Sequence, residues 1–119
     1  MKISVPISVG ELFDKISILE IKKIKIKDKT KLQDINFELN ALKQILTKKK
    51  LYKKNNKEQY TKLFNINKRL WNIEDKKRSY EKSKKFDKAF IELARKVYLL
   101  NDRRAKIKNK INHISGSMI

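Results

Sequence analysis

The 119-residue chain contains no cysteine, and it has only one histidine, one proline and two glycines. The lack of cysteine excludes disulfides, thiolate metal sites and catalysis by a cysteine nucleophile. The single histidine, His113, cannot build a histidine-rich metal site, and two glycines do not make a glycine-rich phosphate loop. We therefore expect no metal and no cofactor.

Long apolar runs are also missing. Nothing in the chain approaches the roughly 18 consecutive apolar residues of a membrane-spanning helix, and Ser4, Pro6, Ser8 and Gly10 interrupt the apolar residues near the N-terminus. This pattern predicts a cytoplasmic protein without membrane insertion. The length predicts one domain over residues 1–119.

Acidic residues are few, so that the formal net charge is +19. Such an excess indicates nucleic-acid binding, with a lysine run as the contact region. The excess consists of 27 lysines against five arginines, beside 16 isoleucines and 10 asparagines. An AT-rich genome would give the same composition without selection for binding, and direct readers of bases or phosphates use more arginine. Both interpretations stay open. The lysine run comprises Lys48, Lys49, Lys50, Lys53 and Lys54.

What the chain does have is regular helical spacing of apolar residues. The longest seam, spaced 4-3-4-3, predicts one helix of roughly 43 Å at 1.5 Å per residue, which must lie against a neighbour. Its members are Phe86, Phe90, Leu93, Val97, Leu100, Arg104, Ile107, Ile111 and Ile114. The first predicted helix carries apolar residues beyond a single stripe, so that more than one neighbour should cover it.

These patterns predict an all-α antiparallel bundle with coiled-coil-like seams, whose helices span about 9–27, 30–48, 57–81 and 87–114. Ser8 and Glu11 have the spacing of a capping box, Asp87 suits the start of the last helix, and Gly116 suits its end. Residues 1–8 form an extended arm, since Ile3, Val5 and Ile7 alternate with other residues. A lone strand lacks a partner in its own chain, and a second copy can supply one.

Three segments carry a family resemblance. They are residues 8–22 (SVGELFDKISILEIK), residues 70–75 (LWNIED) and residues 90–98 with 101–105 (FIELARKVY, NDRRA). Together they resemble a family of small, functionally uncharacterised, all-helical bacterial proteins. The resemblance covers nearly the whole chain, and it implies no activity, cofactor or catalytic residue.

Polar residues of the first and last helices are the candidate site. Arg104 falls within an apolar seam and needs a carboxylate partner, for which Glu20 and Asp14 are the candidates. One interpretation is an ion pair that sets the helix register. The other is a binding site for a phosphate or a carboxylated sugar. The ligand residues would be Asp14, Glu20, Arg95, Tyr98, Asn101, Arg103 and Arg104.

Catalytic pairs are not evident. Glu74 and Asp75 are adjacent on a helix and diverge by about 100°, which is a poor arrangement for shared acid and base chemistry. We predict a non-enzymatic interaction or scaffold protein that associates with itself or with another helical protein. Nucleic-acid binding and binding of an anionic small molecule are the alternatives.

Overall fold

Four α-helices joined by short turns make up the fold. The computed structural model describes residues 1–117, and within them the helices are α1 (Val9–Lys25), α2 (Lys29–Lys48), α3 (Lys54–Lys82) and α4 (Lys88–Ser115). The predicted all-α bundle is confirmed. Residues 1–7 are exposed and outside any helix, and no strand forms within the described residues. The last two residues of the predicted domain, 118 and 119, lie outside the described range.

The helix starts follow local side-chain chemistry. Ser8 accepts a hydrogen bond from the Glu11 amide at 3.1 Å, and Asp28 and Asp87 cap α2 and α4 in the same way. These side chains satisfy amides that have no carbonyl partner within the helix. The capping box is only half formed, because the Glu11 carboxylate pairs with Lys108 of α4.

One predicted boundary is clearly wrong. The expected loop around residues 47–57 is shorter, and α3 begins at Lys54 rather than near 57. Asn56, in the first turn of this helix, is buried and donates to the Leu51 carbonyl at 2.6 Å and to the Ser115 hydroxyl at 3.2 Å. These contacts offset the low helix propensity of asparagine. A smaller difference concerns α1, which ends at Lys25, two residues earlier than expected.

Helix α1 lies at the centre of the bundle. It packs against α2, α3 and α4, as its wide apolar surface predicted, whereas α2 packs against α1 alone among the described helices. The main core joins side chains of all four helices around the fully buried Phe13. A second core lies between α3 and α4, and its buried members are Ile66, Leu70, Ile73, Leu93 and Leu100.

The long α4 seam is covered only in part. Leu93, Leu100 and Ile111 are buried, but Phe86 and Ile114 at the two ends are exposed. The expectation of contact along the whole seam is therefore wrong at its ends. Phe86 precedes the helix and lies edge-on to Phe90, with ring centroids 5.3 Å apart.

Candidate functional site

A buried carboxylate occupies the centre of the helix packing. Asp14 of α1 is only 2% exposed. The Arg104 guanidinium donates to it through both Nε, at 2.9 Å to Oδ1, and Nη2, at 2.5 Å to Oδ2. A two-bond contact of this kind fixes the relative orientation of both side chains. The structure thus gives Arg104 the carboxylate partner that its place in the seam requires, and that partner is Asp14.

Asn67 of α3 joins the same cluster. Its Nδ2 donates to Asp14 Oδ1 at 2.9 Å and to the Ser17 hydroxyl at 2.7 Å. The Ser17 hydroxyl in turn donates to the Asp14 backbone carbonyl at 2.7 Å. Three helices therefore meet at one carboxylate, and Asp14, Ser17 and Asn67 are all buried and hydrogen-bonded. A buried polar network of this kind stabilises one specific packing best when each of its members is hydrogen-bonded.

The polar contacts continue along both helices toward the start of α1. Lys108 pairs with Glu11 and lies 3.8 Å from Asp14 Oδ2, and Asn112 Oδ1 accepts the Gly10 amide at 2.6 Å. The α4 residues are four apart and so share one face. We call this set the α1–α4 polar seam: Gly10, Glu11 and Asp14 of α1 with Asn112, Lys108 and Arg104 of α4. Its antiparallel order fixes the register of the two helices.

Close approach at the end of the seam depends on glycine. A Cβ atom on Gly10 would lie 2.4 Å from the Lys108 carbonyl oxygen and 2.9 Å from Asn112 Oδ1. The backbone of α1 therefore rests directly on α4. The Val9 amide, which also has no helical partner, donates to the Ser117 hydroxyl at 3.3 Å. Together with Ser8, these contacts satisfy the first amides of α1.

The charges of the seam act on one another. Burial by itself raises the pKa of Asp14, but hydrogen bonds from Arg104 and Asn67, with the charges of Arg104 and Lys108, bring this pKa below its ordinary value. The hydrogen bond to Asp14 raises the pKa of Arg104, against the effect of burial. The pair is therefore ionised at neutral pH.

This pKa shift predicts a specific loss of stability in acid. Because the folded-state pKa of Asp14 is below its unfolded value, the contribution is fully present above about pH 4 and is lost as the pH falls through the folded pKa. In urea unfolding from pH 7 to pH 3, the stability advantage of wild type over Asp14→Asn, which cannot titrate at this position, should narrow as the pH falls below about 4. Other carboxyls titrate in both proteins and serve as the internal control. Parallel pH profiles would contradict the assignment.

Most of the other predicted ligand residues lie elsewhere. Glu20 faces α2, where its carboxylate is 2.5 Å from Lys43 Nζ, so the alternative pairing of Glu20 with Arg104 is wrong. Arg95, Tyr98 and Arg103 are exposed. Arg103 lines a different groove, with Lys62 and Lys106. Asn101 is exposed as well, and its Oδ1 is 3.5 Å from Arg104 Nη1. The structure therefore brings together Asp14 and Arg104, with Asn101 at the edge.

The open side of Arg104 faces a shallow groove. The guanidinium side chain is 28% exposed, and the groove of about 280 Å³ is also lined by Trp71, Glu74 and Arg78. Arg78 is paired with Asp75, and Lys77 lies 3.7 Å from Glu74. Asp14 accepts two of the five N–H groups of the guanidinium, and Asn101 Oδ1 lies 3.5 Å from Nη1. The shortest contacts of Arg104 are therefore made within the bundle.

The lysine run surrounds the turn between α2 and α3. Lys48 ends α2, Lys49 and Lys50 form the turn, and Lys53 precedes α3. Lys54 lies in the first turn of α3 and not in a loop as expected. All five are exposed. The amides at the start of α3 have no capping side chain, which adds to the positive potential there.

A group of aromatic rings lies beside this turn. The ring centroids of Phe13, Tyr52 and Tyr60 are 6.0–6.3 Å apart, next to a cavity of about 310 Å³ with Glu20 and Lys43 in its lining. Burial, with the nearby Glu20 and Tyr52, raises the pKa of Tyr60. Phe13 is fully buried and Tyr60 packs against the core, whereas Tyr52 is 48% exposed at the edge of this group.

Sequence reasoning found only part of the α1–α4 polar seam. It singled out Glu11, Asp14 and Arg104, but not Lys108 or Asn112 of the seam, nor Ser17 and Asn67 of the cluster around Asp14. A usable signal existed for two of them, because Arg104, Lys108 and Asn112 recur every four residues and so form a polar stripe on α4. No such signal marks Asn67, whose role depends on how α3 packs against α1.

Two further properties of residues 1–117 bear on function. None of the four helices has an apolar stretch that would span a bilayer. Within the same residues, no group of three or more His, Cys, Asp or Glu side chains could hold a metal ion.

Comparison with known proteins agrees with the resemblance predicted from the sequence. Neither a curated protein nor a solved structure matches the chain significantly. A family model described as a family of unknown function matches residues 1–119. The chain therefore belongs to this family of unknown function, DUF6165.

Proposed function

We propose that this protein is a non-enzymatic helical scaffold of the cytoplasm that associates with itself. One observation supports this most. Asp14 and Arg104, the two candidate ligand residues that lie together in the bundle, satisfy each other there, while large apolar side chains of α4 remain uncovered. Ile91 is 63% exposed, Tyr98 67% and Leu99 48%.

The position of these side chains matters more than their number. Scattered exposed apolar residues are normal, but neighbours on one helix face form a patch that partners cover. Ile91, Tyr98 and Leu99 are seven and eight residues apart, which places them on one side of α4. Burying such a patch stabilises a complex by about 25 cal/mol per Å² of apolar surface removed from water. A second helix has the shape to bury it.

Self-association of a chain with net charge +19 should strengthen with salt. Two copies repel each other at low ionic strength, and salt screens this repulsion while leaving apolar contact intact. We expect the mass measured by light scattering after gel filtration to rise toward that of the dimer as salt increases. A monomer at every salt concentration, at hundred-micromolar protein, would contradict the proposed function.

Nucleic-acid binding is the second candidate, and the exposed lysines around the start of α3 favour it. The same salt series separates the two functions. Affinity for a nucleic acid falls as salt rises, because each phosphate contact releases a counterion. Binding of duplex DNA or RNA that collapses with salt, without salt-promoted dimerisation, would favour this candidate. The lysine-rich composition alone does not, since codon usage can produce it.

A further inference from the structure

We propose that two copies pack α4 against α4 in antiparallel orientation, with a two-fold axis that crosses the helix pair at the level of Tyr98 and Leu99. This inference rests on the proposed self-association and specifies its surface. The surface, called here the α4 outer face, lies opposite the side that packs on α3. It consists of Ile91, Arg95, Tyr98, Leu99 and Asp102, all of which are exposed.

The spacing of this face suits a helix partner. Ile91, Arg95, Tyr98 and Asp102 are separated by four, three and four residues, the pattern of a stripe that another helix covers. Leu99 lies beside Tyr98 and widens the centre of the stripe. The large apolar side chains thus occupy the middle of the face, and opposite charges lie to either side.

The two charges specify both the partner and its direction. Arg95 and Asp102 are seven residues apart, roughly 10 Å along the helix, and they lie at equal distances from the midpoint between residues 98 and 99. A two-fold axis at that midpoint places Arg95 opposite the partner's Asp102, and it does so twice. A parallel pair would instead bring arginine against arginine and aspartate against aspartate.

These two side chains are available for such contacts. In the described part of the chain, neither Arg95 nor Asp102 takes part in an ion pair. Glu92 and Lys106, both exposed, lie farther out on either side with the signs reversed, and the same axis brings each to within about one residue of its opposite charge on the second copy. A strongly basic protein thus has, on this one face, acidic residues placed where basic residues of a second copy would meet them.

Charge reversal is the first test. Arg95→Asp and Asp102→Arg should each weaken the dimer about tenfold or more, since each brings like charges together twice. The double variant Arg95→Asp/Asp102→Arg should restore dimerisation, because the reversed pairs are again opposite in charge. Both positions are exposed, so circular dichroism and the thermal midpoint should stay close to wild type.

A cysteine probe provides an independent test, because the natural chain has none. The two-fold axis brings the two copies of residue 98 to within about 1.5 Å of each other along the helix pair. Tyr98→Cys should therefore form an interchain disulfide rapidly under mild oxidation. Ser79→Cys, an exposed position on α3, is the matched control and should cross-link only at the rate of random collision.

The outcomes separate this inference from the function on which it rests. A monomeric wild type would remove both. A wild-type dimer that survives each single charge reversal, with Tyr98→Cys no faster than Ser79→Cys, would overturn the α4 outer face and leave self-association in place. The exposed arm at Ile3 and Val5 would then be the surface to examine.

Discussion

Replacing Asp14 with alanine should destabilise the protein by about 3–5 kcal/mol, the range observed when one member of a buried ion pair is removed. The variant leaves Arg104 without its carboxylate and Asn67 without one of its acceptors. Unsatisfied buried polar groups add their own desolvation cost. The free energy of unfolding from urea titration at pH 7 is the measurement.

Asp75→Ala is the matched control for this prediction. Asp75 also pairs with an arginine, Arg78, but both side chains are more than half exposed. Exposed pairs contribute roughly 0–1 kcal/mol, so the control should stay close to wild type. Equal losses in the two variants would show that the buried network contributes no more than a surface pair.

Arg104→Ala should destabilise the protein by about as much as Asp14→Ala. A well-folded Arg104→Ala variant that has lost affinity for an anion would instead support the ligand interpretation.

Gly10→Ala should destabilise the protein by about 2–3 kcal/mol, the usual cost of overpacking. The sign is the informative part, because glycine to alanine within a helix ordinarily gains about 1 kcal/mol. Here the added methyl would meet a backbone carbonyl, that of Lys108, at 2.4 Å. No change of side-chain rotamer relieves such a contact, so α1 and α4 must move apart and weaken the bond between Gly10 and Asn112. Thermal or urea unfolding measures the effect.

The other glycine provides the control. Gly116 ends α4 in the left-handed region, with φ of 65°, and no atom of residues 1–117 outside its immediate neighbours lies within 4 Å of a Cβ built there. Gly116→Ala should therefore cost only about 1 kcal/mol of backbone strain. A stable Gly10→Ala variant with unchanged packing would show that α1 and α4 do not approach as closely as described.

Much of the helical architecture could be predicted because its causes are local. Ser8 and Asp87 cap helices through atoms within three residues, and Gly116 adopts its left-handed backbone conformation because it has no side chain. The boundary at Lys54 could not be predicted in this way. There the packing of Asn56 against Leu51 and Ser115 outweighed the local preference for a loop.

The candidate site was predictable only in outline. Arg104 stood out because a charged residue interrupts an apolar seam, and the need for a carboxylate followed from desolvation. Which carboxylate it meets depends on the rotation of α1 between its neighbours. That rotation turns Asp14 toward α4 and Glu20 toward Lys43 of α2.

The sequence by itself determined the helical class, the approximate extent of each helix and the presence of an arginine within an apolar seam. It could do so because periodicity and capping depend on residues close in the chain. Only the tertiary structure decided that Arg104 belongs to a closed polar seam, and that the outer face of α4 is left uncovered. Both facts depend on how the helices rotate and slide against one another. The rotation and position of each helix are set by contacts between residues that are far apart in the chain, such as Gly10 and Asn112, 102 positions apart. Spacing along the chain does not encode such contacts.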